Sequence, residues 1–238
     1  MITELRPHLH RLQLGRYQAY LWHDEHSTTL VDTGEPGSGP QIAAALATLG
    51  VAPSDLDQLV LTHCHDDHAG SAAEVTSWGD VEVVAHAADA AVLRGDEVAA
   101  PPCLTPDERA LHAVVAAGLQ PAAPVRVDRE VRDGDVLDLA GGALVIATPG
   151  HTPGSIAVYL PQADALLTGD IAAEHGGDVM FGVFHQDRAL AARSLHRLLD
   201  VDAQVACFGH GEPVLTDARA RLADAAERSV SQAVPTVP

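Results

Sequence analysis

Between residues 61 and 70 the chain reads LTHCHDDHAG. His63, His65, Asp67 and His68 fall within six residues, directly after the apolar run DQLVL. Packed together at a strand end, such groups repel one another or require costly desolvation, and a bound cation relieves both. Cys64 and Asp66 sit between these candidates, out of phase with the alternating set His63, His65 and Asp67.

The same arrangement recurs elsewhere. Pro149-Gly150-His151-Thr152-Pro153-Gly154 follows LVIAT, Gly169-Asp170 follows ALLT, and Gly209-His210-Gly211 follows VACF. In α/β layers ligands gather where loops converge at strand ends. Four such loops could supply a two-metal site, and their imidazole and carboxylate donors suit zinc, with iron or manganese also compatible. Taken singly, Asp170 reads equally as a turn residue and His210 as a loop filler. His8, His10, His23, His26, His86, His112, His175 and His196 read as ordinary histidines.

The elements that must hold these loops follow from pattern. Short strands are expected over 12–22 and 27–31, and Ser38 could cap a helix over 40–49 that Pro40 opens and Gly50 stops, with Ile42, Leu46 and Leu49 on one face. A strand over 57–62, a short helix over 69–77 and a strand over 81–85 complete an α/β first half. Residues 93–123 break the pattern and form an excursion, either a lid over the site or a crossover packed elsewhere, with a helix over 107–117 starting near Thr105 or Pro106. Strands are expected at 125–127, 136–139, 143–147, 155–160, 164–168 and 203–208, and helices at 186–199 and 216–229. The first of these helices should turn Leu190, Leu195, Leu198 and Leu199 inward, and the closing VPTVP reads as a frayed tail.

Composition narrows the partners. The chain of 238 residues fits one domain, with 47% hydrophobic residues but only 3% aromatic, so Val, Leu and Ile must carry the core. Its 14 basic and 33 acidic residues leave a net charge of −19, a field that repels nucleic acid and anionic membranes. A small-molecule substrate remains the expected partner, and no feature specifies an oligomeric state. Three cysteines in no framework pattern, no signal-type segment and no run of 18 apolar residues point to a cytoplasmic protein.

The segment 62–70 resembles the THxHxDHxxG signature of the metallo-β-lactamase superfamily. Leu30-Val31-Asp32-Thr33-Gly34, PGHTPGS at 149–155, Thr168-Gly169-Asp170 and Gly209-His210-Gly211 resemble its remaining motifs in order, so the similarity spans about residues 12 to 212. The resemblance implies a single-domain four-layer αββα sandwich. It implies His63, His65 and His151 as ligands of a first metal, Asp67, His68 and His210 as ligands of a second, Asp170 as the bridge, and Asp32 as a buried residue orienting the ligand loop. Together with the donor chemistry it implies a dinuclear hydrolase with two divalent ions, zinc foremost, acting on a small ester, lactone or thioester through a metal-bound hydroxide. Asp67 would orient that hydroxide and take its proton.

Family knowledge weighs against several relatives: His65 stands where the flavodiiron oxidoreductases carry Glu, and no Tyr follows Asp170 as in the quorum-quenching lactonases. Only one helix and a tail follow His210, unlike the helical domain of familiar glyoxalase II. A mononuclear iron dioxygenase acting on a persulfide is the alternative enzyme, and a non-catalytic metal-stabilised domain the alternative from another class. Residues 171–188 are expected to form a pocket wall, with Met180, Phe181 and Phe184 either against an acyl group or in the core, and His185 a candidate oxyanion donor.

Overall fold

The structure, a computed structural model, describes residues 1–233; the VPTVP tail lies outside the described residues. The first sheet runs in chain order through β1 (Ile2–Arg6), β2 (Leu9–Leu14), β3 (Tyr17–His23), β4 (Thr28–Val31), β5 (Gln58–Leu61), β6 (Glu82–His86) and β7 (Arg129–Val131). Its first four strands pair antiparallel, and from β4 to β7 the pairing is parallel. The second sheet is built from β8 (Val136–Leu137), β9 (Ala143–Ala147), β10 (Ile156–Leu160), β11 (Ala165–Leu167) and β14 (Val205–Cys207), with β14 parallel to β11 at one edge. Between β11 and β14 come the hairpin β12 (Ala172–His175) and β13 (Asp178–Phe181) and the helix α5 (Arg188–Arg197).

Alternation along the strands determines the layers. Leu30, Leu59, Leu61, Val83 and Ala85 face a core shared with α1 (Gly39–Thr48), α2 (Ala72–Val75) and α3 (Ala90–Leu93). Their neighbours Val31, Val60 and Val84 point the other way and meet Val145, Ile156, Val158 and Leu167 of the second sheet. Ile146, Ala157, Leu166 and Ala206 occupy the outer face of that sheet, under α5 and α6 (Ala218–Ala233). The order is therefore helices, sheet, sheet, helices, as the αββα expectation has it.

Several local readings need correction. The expected strand at 125–127 is extended chain outside the sheet: Val125 N–H bonds the Leu93 carbonyl, and the ladder begins only at Arg129, opposite Val84. Ser38 precedes α1 but its side chain caps nothing; its backbone is already helical and its N–H donates to Ser71 Oγ at 2.8 Å. Leu190 and Leu199 are half-buried, and Ala191 and Ala192 join Leu195 and Leu198 on the buried face instead. Strand β1 and the hairpin β12–β13 have no counterpart among the expected elements. The alternating signal in each is weak, because β1 carries two charged residues and β12 ends in Glu174 and His175.

The excursion holds α4 (Pro106–Val115), whose start is fixed by a capping box between Thr105 and Glu108. Glu108 is buried, accepts from Phe184 N–H at 3.3 Å and pairs with Arg188 at 2.6 Å, so the segment is fastened beside the loop leading into α5.

Candidate metal centre

Each ligand candidate leaves a strand end. The loop after β5 carries His63, His65, Asp67 and His68, that between β9 and β10 carries His151, and the loops after β11 and β14 carry Asp170 and His210. Backbone bonds lock them together: Ile156 N–H donates to the Thr62 carbonyl, Thr33 N–H to that of His68, and Gly209 N–H to that of Gly169. The strands thus bring all seven residues to one end of the sandwich, with Asp32 beneath them.

Three sets have donor atoms within 4.8 Å of one another: His63, His65 and His151; Asp67, His68 and His210; and His63, His68 and Asp170. Nδ1 of His65 and Nε2 of His151 face each other at 3.0 Å. Asp170 lies between the triads, with Oδ2 3.1 Å from His210 Nε2 and 3.8 Å from His151 Nε2. Asp67 Oδ2 is 3.4 Å from His210 Nε2. Nε2 of His63, Nε2 of His68 and Oδ1 of Asp170 are buried without a hydrogen-bond partner, although the latter two atoms lie only 3.2 Å apart. Buried polar atoms are seldom left so. Convergent imidazole nitrogens and carboxylate oxygens with unused lone pairs fit divalent metal ions of the borderline class.

The electrostatics divide the centre. Burial, reinforced by neighbouring imidazoles, holds His63 and His151 well below the usual histidine range. Burial also lowers His65, against the opposing pull of Asp67 and Asp170. For His68, burial acts downward but Asp170, Asp32 and Asp67 overcome it and raise the group well above its ordinary value. Burial likewise opposes His210, which Asp170 and Asp67 nevertheless lift to about 10. Asp67 is drawn down to about 2 because His68 and His210 outweigh its burial. His210 and His68 overcome the same penalty at Asp170 and keep it well below the carboxylate range. Cations binding here would displace the protons on Nε2 of His68 and His210 and meet carboxylates already ionised.

Asp32 does more than close a turn. Its backbone is left-handed at φ 62°, a conformation Asp tolerates better than most residues. Its carboxylate accepts from Thr62 N–H at 2.8 Å, Thr62 O–H at 2.7 Å and His68 Nδ1–H at 2.8 Å. The Thr62 hydroxyl in turn lies 3.0 Å from His63 Nδ1. One buried carboxylate therefore fixes His68 directly and His63 through Thr62, leaving Nε2 of each free for a metal.

Gly209 is required by the packing: a Cβ there would collide with Asp170 Oδ1 and His68 Cε1. Cys64 is buried in the first core, where its thiol is pushed up by burial, and Asp66 turns away to accept from Ala122 N–H at 2.8 Å. Neither joins the ligand sets.

Asp89 escaped the sequence reading. It is 1% exposed and accepts from Cys64 N–H at 3.0 Å, Thr152 O–H at 2.7 Å and Gly154 N–H at 2.7 Å. It therefore clamps the loop of His63 and His65 to the loop of His151. The available signal was the one used elsewhere, an acidic residue shortly after an apolar strand, here VEVVA.

Above the centre lies a cavity of about 700 Å³. Met180 and Phe184 line it, whereas Phe181 is buried in the outer core, 4.4 Å from His185. Phe184 adopts φ 61°, a conformation a bulky side chain rarely accepts. His185 is fully buried behind His151, with the two Nδ1 atoms 3.3 Å apart, and so supports a ligand candidate and does not face the cavity. Residues of the 93–123 excursion form one wall, and His112 and His175, read as ordinary, also line the space.

Comparison with known proteins bears on the family and the fold. The metallo-beta-lactamase superfamily matches residues 14–210. A probable metallo-hydrolase of Bacillus subtilis, YflN, is 28% identical over 80% of this chain and 78% of its own length. A hydroxyacylglutathione hydrolase of Acidiphilium cryptum is 31% identical over 82% of this chain and 72% of its own. Among solved structures, a metallo-beta-lactamase family protein of Thermus thermophilus has a TM-score of 0.73 at 26% identity, covering 96% of this chain and 81% of that one. The Rm3 metallo-beta-lactamase, at 21% identity and a TM-score of 0.75 over 97% and 94%, shares the fold. No described helix is long and apolar enough to cross a membrane. By the extent of that match and the order of its motifs, the chain belongs to the metallo-beta-lactamase superfamily.

Proposed function

We propose that the protein is a dinuclear metal-dependent hydrolase of a small thioester, ester or lactone. The observation that carries the reading is the position of Asp170, one carboxylate reaching ligand candidates of both triads. His63, His65 and His151 would hold one ion and Asp67, His68 and His210 the other, with Asp170 shared. Zinc suits the donor set. Two such ions supply Lewis acidity toward a carbonyl oxygen and a hydroxide nucleophile at neutral pH.

The chain's own residues do the rest. Asp32 and Thr62 hold the imidazoles of His68 and His63 in a single orientation. Asp67, ionised and partly open to the cavity, orients the nucleophile and accepts its proton at Oδ2. The 93–123 segment acts as the lid, and its α4 wall keeps bulk water from the acyl group. The hydroxyacylglutathione hydrolases among the relatives favour a thioester.

The test is metal analysis of protein purified without added metal, followed by thioester turnover. Two equivalents with hydrolysis, and loss of one equivalent with most activity in H151A, support the proposal. A single iron with oxygen uptake on a persulfide would replace it with a dioxygenase. Full occupancy without turnover on either substrate would leave a metal-stabilised binding domain.

A further inference from the structure

The cavity has two chemically different sides. Leu111, Val115, Leu119, Met180 and Phe184 give the cavity its apolar lining, and of these Phe184 and the α4 residues Leu111 and Val115 stand on the side of His151. Phe184 belongs to this side because it adjoins His185, which touches His151, and its ring meets that of His112 edge-on at 4.9 Å. On the side of His210 the tip of the β2–β3 hairpin brings in Arg16 and Tyr17, and the Tyr17 ring stands edge-on to His210 at 5.6 Å.

Arg16 is the only arginine among the described residues lining the cavity, and the chain has no lysine. Its exposed side chain makes no hydrogen bond or ion pair with any described residue, although Asp66, Asp67, Asp170 and Glu174 line the same space. Those carboxylates are engaged elsewhere: Asp66 by Ala122, Asp67 and Asp170 by His210, and Glu174 by the N–H groups of Gly177 and Glu212. An unpaired guanidinium fork beside a scissile position is suited to a planar anion. With Asp67 and Asp170 taken up by the centre, one guanidinium facing the remaining carboxylates Asp66 and Glu174 suits a singly charged group better than a phosphate dianion.

We propose that Arg16 recognises the substrate, and that the substrate carries a carboxylate on one side of the scissile bond and an apolar group on the other. The carboxylate binds at the hairpin tip and the apolar group against α4 and the 180–184 segment. This assignment of substrate class rests on the hydrolase reading, but its recognition step can be measured without turnover.

The probe is 3-(butylthio)propanoate, a thioether with a carboxylate at one end and a butyl chain at the other, compared with its neutral amide. Calorimetry on the metal-loaded protein should show the carboxylate bound about tenfold more tightly than the amide. Arg16→Gln should remove that preference while leaving amide affinity unchanged, and Arg16→Lys should keep part of it. A preference that survives in R16Q, or an equal loss for both probes, would overturn the proposal. In turnover, the corresponding thioester S-butyryl-3-mercaptopropionate separates the two readings. Discrimination by Arg16 without hydrolysis retains the anion site and removes the hydrolase, whereas hydrolysis without discrimination does the reverse.

Discussion

Asp89→Asn isolates the clamp between the two ligand loops. Asp89 Oδ2 accepts from Cys64 N–H and the Thr152 hydroxyl, and Oδ1 from Gly154 N–H. An asparagine keeps the shape but turns one of these oxygens into an N–H₂ donor. With the nitrogen at the Oδ1 position it faces the Gly154 N–H. With the nitrogen at the Oδ2 position it faces the Cys64 N–H, and only the Thr152 hydroxyl can turn to accept. Either way one hydrogen bond to a buried charge is lost and two donors confront each other, a cost of about 2–3 kcal/mol. A Cβ at Gly154 would itself strike the Asp89 carboxylate, so the loop has little room to move aside.

The consequence should be selective. Asp89 ties Cys64, between His63 and His65, to the loop of His151, whereas His68 on the same first loop is also held directly by Asp32 and His210 lies on a loop Asp89 does not touch. The first metal should bind about 10–100-fold more weakly in D89N, the range for losing an orienting partner, and the second nearly as in the parent. Chelator competition resolves the two affinities, and urea unfolding of the metal-free protein reads the loop energy. Two unchanged affinities with an unchanged urea midpoint would refute the clamp, and an equal loss at both sites would show general unfolding instead.

Asp67→Asn removes a charge and a proton acceptor at constant size; thioester hydrolysis should fall about 10²–10⁴-fold with metal content dropping from two toward one, and an undiminished rate refutes its role. Gly209→Ala places a Cβ against Asp170 Oδ1 and His68, so metal analysis should show depleted sites in a protein whose circular dichroism is unchanged. His185 is held down to about 4 by burial and then by Arg188, so the unfolded chain takes up its proton first. Its contribution is complete above the unfolded value near 6.5 and is lost as pH falls toward 4, by roughly 3 kcal/mol. Urea midpoints of the metal-free protein at pH 7.5 and 4.5 should differ less in H185Q than in the parent.

The convergence of the ligand candidates was legible because its signal is local. A metal-binding side chain just past an apolar strand is written in a few adjacent residues, and four strand ends carry one. The supports are less visible, because their partners are remote in sequence. Asp89 and Gly154 are neighbours only after β6 and β10 have been stacked in separate sheets, and nothing near HAAD names the partner. The helix α4 was legible from Thr105-Pro106 and Glu108, but its place over the cavity depends on the buried pair of Glu108 with Arg188. The strand misplaced at 125–127 shows the other limit. Buried Val125 and Val127 have strand-like alternation, yet packing against the helix layer satisfies it without a ladder. Met180 and Phe184 separate from Phe181 only when the alternation along β13 and the left-handed turn at Phe184 are known.

Each proposed metal would join the two sheets. The first would take His63 and His65 from the loop after β5 in one sheet and His151 from the β9–β10 loop in the other. The second would take Asp67 and His68 from the first sheet and His210 from beyond β14 in the second. A ligand that binds the folded state alone stabilises it by RT ln(1 + [L]/Kd), about 4 kcal/mol at a thousandfold excess over Kd. Here that energy would act across the interface made by Val31, Val60 and Val84 against Val145, Ile156 and Val158. Aromatic residues are scarce in this chain, and much of its apolar content is alanine, which contributes little per residue. The centre would therefore have a structural part to play beside its chemical one: the ions that would activate the nucleophile would also tie together a sandwich built from small side chains.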